Sequence, residues 1–147
     1  MHGLRVVALE QAVAAPFCSR RLAEGGADVI KVERPEGDFA RYYDSAVAGQ
    51  SAYFVWLNYG KRSVALDLGD SAQVETLQAL IQSADIFLQN LKPGAMAKLG
   101  IDLVAARDKN PQLISCSVAG YSSEGPSRAK KAYDLLIQAE TGLASIT

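Results

Sequence analysis

One histidine and two cysteines are scattered through 147 residues, and their scarcity removes several kinds of chemistry at once. His2, alone at the start of the chain, has no partner for imidazole-based acid–base or metal work. Cys18 and Cys116 show no C-x-x-C or Cys/His spacing and sit in apolar company. They read as small buried hydrophobes of a reducing compartment, with neither a disulfide nor a metal site expected. An excess of one charge is missing too. The net charge is −1, so the bulk balance calls for neither nucleic acid nor an anionic membrane as partner. No run approaches the roughly 18 apolar residues of a membrane span, and MHGLRVVALE lacks the basic start and long apolar stretch of a secretion signal. No internal repeat or low-complexity segment is present. A cytoplasmic protein is the expectation.

What the chain does have is alternation. Hydrophobic residues make up 49% and charged residues 21%, ordinary proportions for a domain that buries about two-thirds of its unfolded surface. Residues 4–10 (LRVVALE) form a short apolar run rich in branched side chains, suited to a buried strand. Pro16 follows where its fixed φ and missing N–H are harmless, predicting a helix that runs to a stop at Gly25 and Gly26. Residues 27–33 (ADVIKVE) predict a second strand, and such a strand–helix–strand crossover is almost always right-handed. The pattern repeats with a strand over 63–68, a helix over 71–83, a strand over 85–90, a helix near 101–109 and a strand over 112–118. Near-continuous apolar strands alternating with helices imply an α/β fold: an open, mostly parallel, Rossmann-like sheet with helices on both faces.

Two connections exceed the usual two to six residues. One is 34–61, with a short helix predicted around 52–57; the other is 120–131. Both follow the C-terminal end of a strand, where open α/β sheets bind ligands. A dinucleotide site would need G-x-G-x-x-G in the first turn, but EQAVAAPF contains no glycine. Glu33 stands where a ribose-binding acid would be, without the rest of the fingerprint, and a Walker-type loop is absent. Cations gather near the strand ends instead: Arg34, Arg41, Lys61, Arg62, Lys92, Lys98, Lys130 and Lys131, with Asn90 among them. Such a set suits a ligand carrying several phosphates.

The stretch GLRVVALEQAVAAPFCSRRLAEGGADVIKVERPEGD is followed in order by NYGKRSVALDL, NLKPGAMAKLG, ISCSVAGYSSEGP and KAYDLLIQAETGL. Together they resemble the amino-terminal signature of the family III CoA-transferases, which include formyl-CoA transferase and the carnitine CoA-transferases. Alpha-methylacyl-CoA racemases share the fold and much of the pattern. The resemblance covers essentially the whole chain. It implies transfer of CoA between an acyl-CoA thioester and a free carboxylic acid. An enzyme aspartate attacks the thioester, the released thiolate attacks the aspartyl carbonyl, and the bound CoA passes to an acceptor carboxylate. It also implies acyl-CoA as a substrate rather than a tightly bound cofactor, no metal, and an interlocked homodimer of longer chains. Residues 1–147 would be the N-terminal part of the large CoA-binding domain. The nucleophilic aspartate would lie beyond residue 147, so no catalytic residue is expected here.

Carried over residue by residue, the resemblance sets Ala12 and Val13 of the first βα turn against CoA. Val13 stands where formyl-CoA transferase has glutamine, which weakens the case for a formyl/oxalyl substrate pair. Arg34 would meet a phosphate, Leu66 the adenine, and Asn90 and Leu91 the pantetheine arm. Lys98 replaces a frequent arginine and loses its bidentate fork; Lys131 would lie beside the nucleotide phosphates. Tyr133 would line the site. The racemases have histidine before the aspartate, whereas a tyrosine with a pKa of about 10 is a poor base near neutrality, which favours the transferases. Asp134 would be structural, capping the helix that follows. The alternatives are an acyl-CoA racemase or isomerase and, for these 147 residues alone, a catalytically silent fold segment.

Overall fold

The computed structural model describes residues 1–146. Among them strands and helices alternate: β1 (Arg5–Leu9), α1 (Ala14–Glu24), β2 (Asp28–Glu33), α2 (Ala52–Asn58), β3 (Arg62–Ala65), α3 (Ser71–Gln82), β4 (Ile86–Gln89), α4 (Ala95–Lys98), α5 (Leu103–Lys109), β5 (Ile114–Ser117) and α6 (Asp134–Glu140). The five strands form one sheet in the order β3-β2-β1-β4-β5. Every pairing is parallel, so the sheet is more uniform than the mostly parallel one expected.

The period of two along β1 builds both layers of the core. Val6 and Ala8 face α1 and pack with Ala15, Val29 and Leu88. Val7 and Leu9 face the other way, onto Val32, Leu77, Ile81 and Phe87. With apolar side chains on both faces, the central strand has no wet side. Each such Val, Leu, Ile or Phe contributes about 1.5–3 kcal/mol of burial. The helices begin where short polar side chains take up their free N–H groups. Asp70 accepts from Ala72 N, Asp102 from Val104 N and Ala105 N, and the Ser51 hydroxyl from Phe54 N.

Three elements go beyond the sequence reading: the 3-10 turns over Phe39–Tyr42 and Leu143–Ser145 and the single helical turn α4. Two assignments need correction. Cys18 is half-buried and Cys116 exposed, so neither is the fully buried hydrophobe expected. Asp134 is not the cap of α6; Tyr133 takes the extended cap conformation one residue earlier and offers no side-chain bond. Asp134 is the first residue inside the helix, and its Oδ2 accepts from Gln138 Nε2 at 2.6 Å. The carboxylate therefore reaches along the helix rather than back to the free backbone N–H groups. No described helix is long and apolar enough to cross a membrane.

Candidate functional site

Connections leave β1 toward β2 and β3 on one side, while β4 and β5 lie on the other. The C-terminal ends of β1 and β4 therefore flank the switch point at which ligands of such sheets bind. Two loops meet there. Asn90, just past β4, accepts Gln11 N–H at 3.0 Å and donates to the Gln11 carbonyl at 2.8 Å. The next residue, Ala12, stands at φ +64°, a left-handed conformation that disfavours an L-alanine by about 1–2 kcal/mol. Its N–H is taken by Asp38 Oδ1 at 3.1 Å.

Asp38 belongs to a buried set of charges. Its Oδ2 accepts from Lys31 Nζ at 2.9 Å, and Lys31 Nζ also donates to the Glu10 carbonyl at 3.3 Å. Lys61 Nζ places its three protons on Glu10 Oε1 at 2.7 Å, Pro16 O at 3.0 Å and Asn58 Oδ1 at 3.0 Å. Ser19 Oγ donates to the other Glu10 oxygen at 2.7 Å. The side chains of Glu10, Lys31, Asp38 and Lys61 are at most 1% exposed. Two ammonium groups and two carboxylates cancel in charge. Burying such ions costs several kcal/mol apiece unless geometry and further hydrogen bonds offset it, and here each has several partners. Burial pushes the Lys61 ammonium below its ordinary pKa, against the opposing pull of Glu10.

Beside this set, Glu33 takes Arg41 Nε at 3.0 Å, Arg41 Nη2 at 2.6 Å, Asp38 N–H at 2.9 Å and the Ser63 hydroxyl. Burial works to raise its carboxyl, but the donors, Arg41 first among them, outweigh it and hold the pKa at about 2. Its oxygens are fully engaged within the chain, so Glu33 is no free ribose acceptor. Gly37 closes this corner at φ +84°, where a Cβ would come within 2.8 Å of Arg41 Cδ.

Two cavities open on either side of the Asn90–Gln11 clasp. The smaller, about 210 Å³, lies over the ends of β1, β2 and β3 and is lined by Gln11, Arg34, Gly37, Leu66 and Leu91, among others. The larger, about 640 Å³, lies between the β4 and β5 loops and is walled by Leu91, Met96, Ile101, Leu103 and Val118, with Lys92 and Tyr121. Leu91 lines both. Arg34 is exposed, with Nε on the Gly37 carbonyl at 3.1 Å.

Comparison with known proteins decides the family. The family model described as CoA-transferase family III matches residues 1–147. The chain belongs to this family. It is 37% identical to succinate–glutarate CoA-transferase of Agrobacterium fabrum, covering 100% of the chain and 39% of that protein. It is 38% identical to succinyl-CoA:mesaconate CoA-transferase of Haloarcula hispanica, again over 100% of the chain and 39% of the relative. A crystal structure of a CAIB/BAIF family protein from Brucella suis superposes with a TM-score of 0.90 at 39% identity, over 96% of this chain and 39% of that one. The chain thus spans about two-fifths of the length of the relatives it matches.

Within this family III chain, the residues singled out from sequence fall into three groups. Arg34, Leu66 and Leu91 meet on the smaller cavity. Ala12, Val13 and Asn90 form the clasped turn beside it. Lys98, Lys131 and Tyr133 line neither cavity; Lys98 ends α4, and the other two lie on the exposed segment before α6.

Four of the cations assigned to the ligand edge are spent elsewhere. Arg41 is held by Glu33 and stacks 3.8 Å over the Phe54 ring. Lys61 is buried on Glu10. Arg62 opens β3, so it sits at the opposite end of the sheet, paired with Asp28 at 2.5 Å. Lys130 is bound to Glu140 at 3.2 Å. The buried network itself was missed. Its one signal was Lys31, a charge in the middle of an apolar strand with no wet face.

Proposed function

We propose that these residues are the N-terminal, CoA-binding part of a longer CoA-transferase, which moves CoA between an acyl-CoA thioester and a free carboxylic acid. The observation that carries this reading is the meeting of Arg34, Leu66 and Leu91 on one cavity over the C-terminal strand ends, in a chain of this family. A guanidinium beside an apolar wall suits a phosphorylated nucleotide with a flat base. Arg34 holds the phosphate, Leu66 packs on the adenine, and the pantetheine arm runs past Asn90 and Leu91 toward the Ala12–Val13 turn. Lys98 and Lys131 contribute charge to the phosphates, and Tyr133 lines the site, once the rest of the polypeptide is in place. The active form is an interlocked homodimer.

The chemistry follows from the substrates. A carboxylate oxygen of an aspartate outside these residues attacks the thioester carbonyl; the C–S bond breaks and CoA leaves as thiolate. The thiolate attacks the aspartyl carbonyl of the mixed anhydride, releasing the first acid and leaving CoA on the aspartate. The acceptor carboxylate attacks that enzyme thioester, and the freed thiolate then takes the new acyl group, restoring the aspartate. Exclusion of water protects the anhydride.

The test is exchange. The full polypeptide, given succinyl-CoA and glutarate, the pair suggested by the relatives' names, should form glutaryl-CoA and succinate in equal amounts, and hydroxylamine should trap a hydroxamate on one aspartate. Uptake of α-deuterium from D2O without any CoA exchange would replace this reading with the racemase one.

A further inference from the structure

The turn after β1 is held by side chains from two other loops, and its own sequence does not account for its shape. Ala12 occupies φ +64° in a segment, EQAVAAP, that contains no glycine. Its N–H goes to Asp38 Oδ1 at 3.1 Å, an oxygen that also accepts from Ala40 N at 3.0 Å. Asp38 is fixed in turn, by Lys31 on Oδ2 at 2.9 Å and through its own N–H to Glu33 at 2.9 Å. One residue earlier, Gln11 is gripped by Asn90. Released from these bonds, an L-alanine returns to negative φ and carries Val13 and the start of α1 with it.

We propose that Asp38 is a positioning residue for the β1–α1 turn: by accepting the Ala12 N–H it holds Ala12 left-handed, and so sets where Ala12 and Val13 stand at the switch point. The buried network gives Asp38 a fixed footing from which to do this. That Ala12 and Val13 face CoA rests on the function proposed above; the holding of the turn does not.

The experiment uses the full polypeptide and three variants. Lys31→Met with Asp38→Leu removes one ammonium and one carboxylate, leaving the Glu10–Lys61 pair balanced, but takes the acceptor from Ala12. Asp38→Asn keeps an acceptor oxygen and loses the charge. Hydrogen–deuterium exchange by mass spectrometry should show residues 9–17 exchanging at least tenfold faster in the double variant, with residues 71–82 unchanged. In Asp38→Asn the same peptide should stay within about threefold of the parent even though Tm falls. The KM for acyl-CoA should rise about fivefold or more in the double variant, and adding Ala12→Gly, which tolerates positive φ, should recover most of it. The proposal is overturned if residues 9–17 exchange as in the parent, if 71–82 loosens equally, or if Asp38→Asn frees the turn as fully as leucine does. Should the double variant not fold, Asp38→Asn is read against the parent, and a tenfold or greater rise in exchange of residues 9–17 overturns the proposal. A loosened turn with an unchanged KM would uphold the positioning role and sink the CoA contact of Ala12 and Val13 instead.

Discussion

Asn90 satisfies both backbone polar groups of Gln11, accepting on Oδ1 at 3.0 Å and donating from Nδ2 at 2.8 Å. The side-chain amide thereby adds a rung to the β1–β4 ladder just past its last paired residues, Leu9 and Gln89. Asn90→Asp keeps the acceptor but sets a carboxylate oxygen against the Gln11 carbonyl. It should lower stability by about 1–3 kcal/mol and weaken CoA binding, as read from urea midpoints and calorimetric titration. An unchanged midpoint would mean that the clasp does not hold the turn.

Among the described residues the Arg34 side chain hydrogen-bonds only to the Gly37 carbonyl. Arg34→Ala in the full polypeptide should therefore leave folding intact. It should raise the KM for acyl-CoA by about 10- to 100-fold, the range of one lost charge-assisted bond, with a smaller effect on kcat. Initial-rate kinetics checks this; an unaltered KM makes Arg34 a surface charge.

Glu33 gives the fold an acid-sensitive contact. A carboxyl whose folded pKa is depressed stabilises above its unfolded value and loses that contribution as pH falls through the folded one. With Glu33 the window runs from about 4.5 down to about 2, and on the order of 3 kcal/mol disappears across it. Glu33→Gln should flatten the pH dependence of the urea midpoint in that window. If the parent and variant curves stay parallel, the stabilisation comes from elsewhere.

Lys61 is an ammonium with every proton placed. Lys61→Met leaves Glu10 short of its nearest cation, 2.7 Å away, and should cost about 3–5 kcal/mol. Lys61→Met combined with Glu10→Gln should be milder than Lys61→Met alone, because no unpaired carboxylate remains. Equal losses in the single and double variants would show that the pair contributes packing rather than charge compensation.

Asp134 makes a within-helix bond to Gln138 rather than a cap. Asp134→Ala should therefore cost less than about 1 kcal/mol, the scale of an i,i+4 pair plus a helix-dipole effect. CoA exchange by the full polypeptide should persist within about tenfold. Abolished turnover with intact folding, or a hydroxamate trapped on Asp134, would make this aspartate the nucleophile.

Much of the fold could be read from the chain because its causes are local. Near-continuous apolar runs mark the five strands, and Gly25 and Gly26 mark the end of α1. Leu66 and Leu91 were named by the resemblance alone; the parallel order, which carries every strand end to one rim, is why they meet Arg34 there. The ion pairs were opaque. Lys31 finds Asp38 seven residues on, and Lys61 finds Glu10 51 residues back. A loop cation can as readily meet a carboxylate as a phosphate, so Arg41, Lys61 and Lys130 looked free when they were not. Arg62 misled for a simpler reason: it is the first residue of its strand, and a parallel strand begins at the end away from the ligand.

Among the described residues, Leu91 is the party wall between two chambers. Its own N–H is tied to Gln89 Oε1 at 2.6 Å, and Gln89 is tied to Ser117 at 2.8 Å, so the wall is anchored to the neighbouring strands. Because both rooms share this partition, widening one by trimming position 91 also opens a doorway to the other, and a larger side chain there narrows both together. A ligand long enough to reach from the β2–β3 side to the β4–β5 side must pass this point. The residue at 91 therefore apportions the available space as well as filling some of it.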